Sequence, residues 1–186
     1  MENVKQSYTN ISAKWAVIYV ITSIVITYAL QFLDVDQTTS PLRFVMYIPL
    51  IAFLLLAQKE YRDQLGGFMT FGQGFMAGFI YAVIVGILSA IFVYIYFTFL
   101  SPQVWEQVLT ASKDKIAENK SLSSEQVDQA MEFTRKYGIM FAIVGAIIGT
   151  PILGAVISLI GAAIFKKERS ILDIEQNSDS NTDPAV

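Results

Sequence analysis

The chain has 186 residues, of which 54% are hydrophobic and 16% charged, and its mean hydropathy is +0.49. Soluble domains carry about 25% charged residues, and here the charges lie outside a few long apolar runs, which indicates an α-helical membrane protein. The absence of cysteine and histidine excludes disulfides and cysteine or histidine metal sites, and no basic patch with interleaved aromatics points to nucleic acid.

The first apolar run predicts a membrane span over residues 15–32. It begins with Trp15, ends with Phe32 and contains no charge, and it is close to the ~20 residues that cross a bilayer core. A signal peptide is the alternative, but the run is long for one and no small-residue cleavage site follows. We therefore interpret it as a retained span, preceded by a polar cytoplasmic N-terminus over residues 1–14.

The second run, residues 42–57, is the weakest span. At about 1.5 Å per residue it falls short of the roughly 30 Å of hydrocarbon, and it contains Arg43 near its start and Pro49 inside. Proline within a helix predicts a kink. A re-entrant or interfacial segment is the alternative, and we favour a span because it gives the third one a partner.

Two further spans are predicted at residues 75–100 and 138–165. The third contains no charged residue, while the fourth is expected to break at Pro151 and stops at Lys166 and Lys167. The remainder, residues 166–186, is acidic and rich in Ser, Asn and Asp, which is typical of a disordered tail.

The hydrophilic insert over residues 101–136 predicts a helical hairpin. Ser101 followed by Pro102 is a helix-start signal, and Ser123 with Gln126 forms a capping box for a second helix. Both predicted helices carry an apolar stripe. The expected fold class is an all-α membrane protein, with four transmembrane helices and an extracytoplasmic amphipathic hairpin between the third and the fourth.

Basic residues near the predicted span ends suggest the orientation. Four spans place both termini on one side, and the positive-inside rule counts Lys and Arg close to the ends. The side of the termini holds six bases close to span ends, Lys14, Lys59, Arg62, Lys166, Lys167 and Arg169. The opposite side holds three close to span ends, Arg43, Arg135 and Lys136, and three further out in the insert, Lys113, Lys115 and Lys120. We therefore expect cytoplasmic termini and a location in the inner (cytoplasmic) membrane of a bacterium.

Small residues recur along the third and fourth spans at helical spacing. Membrane helices associate where such residues let backbones approach closely. The predicted helix-packing residues are Gly74, Gly78, Ala82, Gly86, Ala90, Gly145, Gly149 and Gly154. Packing of the third span on the fourth is the favoured interpretation, and homodimerisation through one of these faces is the alternative.

The spans contain no Asp, Glu, Lys or His, the groups that usually mark proton relays in membranes. Their hydroxyls and amides are expected to bond helix carbonyls or neighbouring helices. The carboxylates of the hairpin alternate with lysines, as on an ordinary solvated face. We predict no catalytic, cofactor-binding or metal-binding residue, no cofactor, and a protein that is not an enzyme.

The segment FGQGFMAGFIYAVIVGILSAIFVYIYFTFLSP, from Phe71 to Pro102, resembles the bacterial membrane family called domain of unknown function 4199, or DUF4199. The charged hairpin, the glycine-rich last span and the terminal Lys166-Lys167-Glu168 extend the likeness over most of the chain from Trp15 onward. The resemblance implies an inner-membrane protein of about four spans, and it supplies no activity and no site residues.

Together these patterns predict a structural or interaction protein that acts through its hairpin. The expected partners are the lipid bilayer, a second copy of the chain, or another membrane or periplasmic protein. A small channel or carrier for a neutral or lipophilic solute is the alternative, which a solvent-filled path between the spans would favour.

Overall fold

A computed structural model describes residues 7–33, 41–118 and 123–167. The described chain is helical and has no β-strand. Its elements are α1 (Tyr8–Phe32), a 3₁₀ turn (Pro41–Met46), α2 (Tyr47–Gln64), α3 (Phe71–Ile95), a π-helical turn (Tyr96–Leu100), α4 (Pro102–Ala117) and α5 (Ser124–Phe165). Residues 34–40 between the first two predicted spans, residues 119–122 within the predicted hairpin and the predicted tail beyond Lys167 lie outside the described residues.

Four helical segments in the described ranges are long and apolar enough to cross a membrane, which confirms the four-span, all-α prediction. Each is longer than its apolar run suggested. They cover Tyr8–Phe32, Phe44–Gln64, Phe71–Leu100 and Ser124–Phe165.

The first helix begins well before the predicted span. Ser7 caps it, with its hydroxyl accepting a hydrogen bond from the Thr9 amide, so residues 8–14 are helical rather than a separate polar segment. Ile11 and Ser12 are fully buried, and the Ser12 hydroxyl donates to the Ala77 carbonyl at 2.7 Å. This extension of α1 therefore packs against α3.

The second span is long enough to cross a membrane when the whole helical segment, which ends at Gln64, is counted. Phe44–Gln64 has 21 residues, which at 1.5 Å per residue is about 30 Å. Pro49 lies in the first turn of α2, where backbone amides have no partner within the helix. Pro49 therefore removes no hydrogen bond from the interior of α2, and the kink stays a prediction. Gly66 and Gly67, with φ of 77° and 85°, then turn the chain toward α3.

The last helix is continuous over 42 residues. It contains Pro151 without ending there, and it joins the second arm of the hairpin to the last span, which corrects the prediction of two separate helices. The capping box of Ser123 and Gln126 is present at its start. Its length of about 60 Å is roughly twice the hydrocarbon thickness, so the part before about Gly138 must project from the bilayer.

Helix α3 is the centre of the bundle, in contact with α1, α2 and α5. Tyr19, Leu54, Tyr81 and Val85 belong to the buried core between these helices. At the end that holds the start of α1, Met69 and Lys167 exchange two backbone hydrogen bonds of 2.8 and 3.0 Å. This pair joins the start of α3 to the end of α5.

Candidate functional site

The contact between α3 and α5 contains most of the predicted packing residues. All five small residues named on α3 are buried. The helices run antiparallel, and a methyl group built on Gly74 would lie 3.2 Å from the Cβ of Ala162. One turn further along each helix, Gly78 faces Ser158, and then Ala82 faces Gly154. We call this contact the α3–α5 seam.

Pro151 and Gly86 form the next level of the seam. A methyl group on Gly86 would lie 2.9 Å from the Ala146 carbonyl oxygen and 3.2 Å from Cδ of Pro151. Neither atom belongs to a side chain that can rotate away. Glycine is therefore required at residue 86 for the proline-containing part of α5 to approach α3.

Gly145 and Gly149 are not part of the seam. Both are exposed, and a methyl group built on either would meet no atom within 4 Å. At about 100° per residue, Gly145 lies roughly half a turn around the helix from Gly154. These two glycines therefore do not pack α5 against α3, because their spacing on α5 places them on its outer face; homodimerisation through that face stays a prediction.

Gln58 connects three helices at one buried amide. Its Nε2 donates to the Gly74 carbonyl at 2.9 Å, the Ser158 carbonyl at 3.0 Å and the Ser158 hydroxyl at 3.1 Å. The Ser158 hydroxyl in turn donates to the Phe75 carbonyl at 2.8 Å. This Gln58–Ser158 cluster joins α2, α3 and α5, and a methyl group on Gly78 would collide with both of its side chains.

The other amide atom of Gln58, Oε1, has no hydrogen-bond donor among the described residues. It points at Gly161, where any added methyl group would overlap it. Close Cα–H···O contacts of this kind are weak but recur between packed helices. Gln58 lies one residue beyond the predicted end of the second span, residues 42–57. Its four-residue spacing from Leu54 puts both side chains on one helix face, but its burial comes from contacts with α3 and α5 that the sequence does not reveal.

At the opposite end of the bundle, a second cluster holds the base of the hairpin. Tyr96 donates through its hydroxyl to Gln31 Oε1 at 3.2 Å, and Gln31 Nε2 donates to the Ser101 hydroxyl at 3.4 Å. The Ser101 amide donates to the Tyr96 carbonyl at 2.8 Å, closing the π-helical turn. Ser101 was predicted to cap α4, but its side chain makes no cap bond and is buried against the end of α1 instead.

The two arms of the hairpin pack through Trp105. Its ring lies 5.5 Å from that of Phe97, and a methyl group on Gly138 would lie 2.9 Å from Trp105 Cζ2. Leu109 and Val127 are buried, while an exposed ion pair of 3.1 Å joins Glu106 to Arg135. The apolar stripes of the arms are thus buried at Leu109 and Val127 and half-buried elsewhere, while charged side chains such as Glu106 and Arg135 point outward.

Most polar groups of the spans serve helix structure, as predicted. The hydroxyls of Thr22, Ser23 and Thr27 donate to carbonyls one turn earlier in α1, and the Tyr81 hydroxyl donates to the Leu50 carbonyl at 3.3 Å. The described residues contain no group of three or more Asp or Glu side chains placed to hold a metal ion.

Comparison with known proteins gives one family match. Residues 14–167 match the model of a family described as a protein of unknown function, DUF4199, which confirms the resemblance seen in the sequence. No curated protein and no solved structure matches the chain.

Proposed function

The chain belongs to the DUF4199 family of proteins of unknown function, and from its geometry we propose a multi-pass membrane protein that acts by interaction rather than catalysis. Its hairpin, formed by α4 and the first part of α5, is the surface that would receive a partner.

The observation that carries this proposal is the rigid connection of the hairpin to the spans. One arm and the last span are parts of the same helix, because α5 runs without a break from Ser124 to Phe165. The other arm starts at Pro102, directly after Ser101, which is buried and bonded to Gln31. A connector needs neither feature, whereas a recognition surface gains affinity when it is preorganised.

The charges on the hairpin suit a polar partner surface. Exposed acids lie on both arms among exposed lysines, and interspersed charges of this kind give orientation and specificity in an interface. The hydroxyls of Thr22, Ser23, Thr27 and Tyr81 donate to helix carbonyl oxygens. Because these groups stabilise helices, they support an interaction protein over the alternative of a channel or carrier.

We further propose that the hairpin faces away from the cytoplasm and that the termini are cytoplasmic. At the end of the bundle opposite the hairpin, Lys14, Lys59, Arg62, Lys166 and Lys167 lie close to helix ends. Bases in such short flanking segments favour retention on the cytoplasmic side. An inner membrane is the location that this orientation implies.

The natural lack of cysteine allows a direct test by site-specific crosslinking in native membranes. Gln107→Cys and Gln129→Cys place a thiol on the exposed faces of the two arms, and Gln64→Cys is the matched control at the opposite end. We expect the same crosslinked species from both hairpin positions, lost on reversing the neighbouring charges, and a different pattern from the control. Absence of a shared species from the two arms would contradict the proposal.

A further inference from the structure

A groove between α1 and α2 lies at the end of the bundle that carries the start of α1. It is a shallow surface depression of about 470 Å³ that is mostly open to its surroundings. It is lined by Trp15, Leu56, Lys59, Glu60, Asp63 and Gln64. We call it the α1–α2 groove.

The groove crosses the boundary between the apolar and polar parts of the spans. Leu56 is the last exposed apolar residue of α2 before the charged residues begin, and Trp15 starts the uncharged part of α1. Tryptophan at this position is typical of the headgroup level of a bilayer. One end of the groove therefore faces acyl chains and the other faces water.

The groove contains charges of both signs, and these side chains differ in whether they form an ion pair. Glu60 accepts from the Lys14 ammonium and from Trp15 Nε1, the latter at 2.8 Å. Lys59 is exposed and forms no ion pair with a described carboxylate. Asp63, one helical turn beyond Lys59, pairs with the adjacent Arg62 at 3.0 Å and with no other base among the described residues, and its side chain remains 53% exposed.

We propose that the α1–α2 groove binds the headgroup of a zwitterionic phospholipid that carries a primary ammonium, as in phosphatidylethanolamine. The lipid phosphate pairs with Lys59, the headgroup ammonium donates to Asp63, and an acyl chain lies along Leu56 and Trp15. A glycerol headgroup carries no ammonium and would leave the Asp63 carboxylate without this donor. A choline headgroup has no N–H with which to bond the Asp63 carboxylate.

The test is lipid titration of the delipidated, full-length protein in detergent, followed by native mass spectrometry. Phosphatidylethanolamine, phosphatidylcholine and phosphatidylglycerol with identical acyl chains are compared. We expect Lys59→Gln to weaken phosphatidylethanolamine binding by about tenfold or more, the loss expected for one hydrogen bond to a charged group. Lys59→Arg should retain binding, and Asp63→Asn should abolish the preference for ethanolamine over choline.

Lys113→Gln and Asp114→Asn are matched controls, because they remove the same charges from exposed positions on α4. These variants should bind all three lipids as the parent protein does. Equal affinity of the parent for the three lipids would overturn the proposal, as would equal weakening by the groove variants and the controls.

Discussion

Replacing Gly86 with alanine should destabilise the bundle, because the added methyl group enters the seam at its least adjustable point. It would lie 2.9 Å from the Ala146 carbonyl oxygen and 3.2 Å from Pro151 Cδ, several tenths of an ångström inside normal contact. Overpacking of this kind costs about 1–3 kcal/mol. The better helix propensity of alanine returns about 0.5–1 kcal/mol, so we expect a net loss of about 1–2 kcal/mol.

Gly145→Ala is the matched control, because that methyl group would meet nothing within 4 Å. We expect it to leave the free energy of unfolding unchanged or to raise it slightly. Both variants are measured by reversible unfolding in mixed micelles with increasing denaturing detergent, followed by circular dichroism. If Gly86→Ala unfolds at the same detergent fraction as Gly145→Ala, the assignment of the seam is incorrect.

Three further predictions follow from other parts of the structure. Gln58→Glu should lower the free energy of unfolding by about 3 kcal/mol or more, because it buries an unpaired charge beside two carbonyl oxygens. Gln58→Leu should lower it clearly less in the same assay. Equal losses for the two variants would refute the role of the Gln58 amide as a hydrogen-bond donor to these carbonyls. Ser123→Ala removes the cap of α5 and should cost about 1 kcal/mol, seen as faster amide hydrogen exchange confined to the first turn of α5. In intact cells, an impermeant maleimide should label Gln129→Cys at once and Gln64→Cys only after permeabilisation, and the reverse order would invert the proposed orientation.

The number and type of the spans could be predicted because an uncharged apolar run of sufficient length has few alternatives to a membrane helix. The helix ends could not. Lys14 marked the expected start of the first span, yet α1 continues back to Tyr8, because Ser7 caps the helix and Ile11 and Ser12 are buried in the bundle. Likewise, Arg135 and Lys136 lie within α5 and do not end it. Charged residues indicate where a helix enters water, and a helix can continue beyond that point.

The residues of the α3–α5 seam could also be predicted only in part. Spacing on α3 identified five of its six buried small residues and missed Ala77, because a four-residue repeat drifts only slowly around one face of a helix. On α5 the same criterion selected Gly145 and Gly149, which are exposed, since spacing alone does not give the rotation of a helix about its axis relative to its neighbour. Gln58 was missed for another reason. Its burial depends on contacts with α3 and α5 that are far away in the sequence.

The most direct test of the central claim is whether lipid covers the exposed apolar faces of the four spans. Ile87 and Ile152 are 48% and 63% exposed in the isolated chain. A spin label on Ile87→Cys or Ile152→Cys in bilayer nanodiscs should be accessible to oxygen and protected from a water-soluble nickel chelate, unlike a label on Gln129→Cys. Greater accessibility to the nickel chelate than to oxygen at residues 87 and 152 would show that water, not lipid, surrounds these helices.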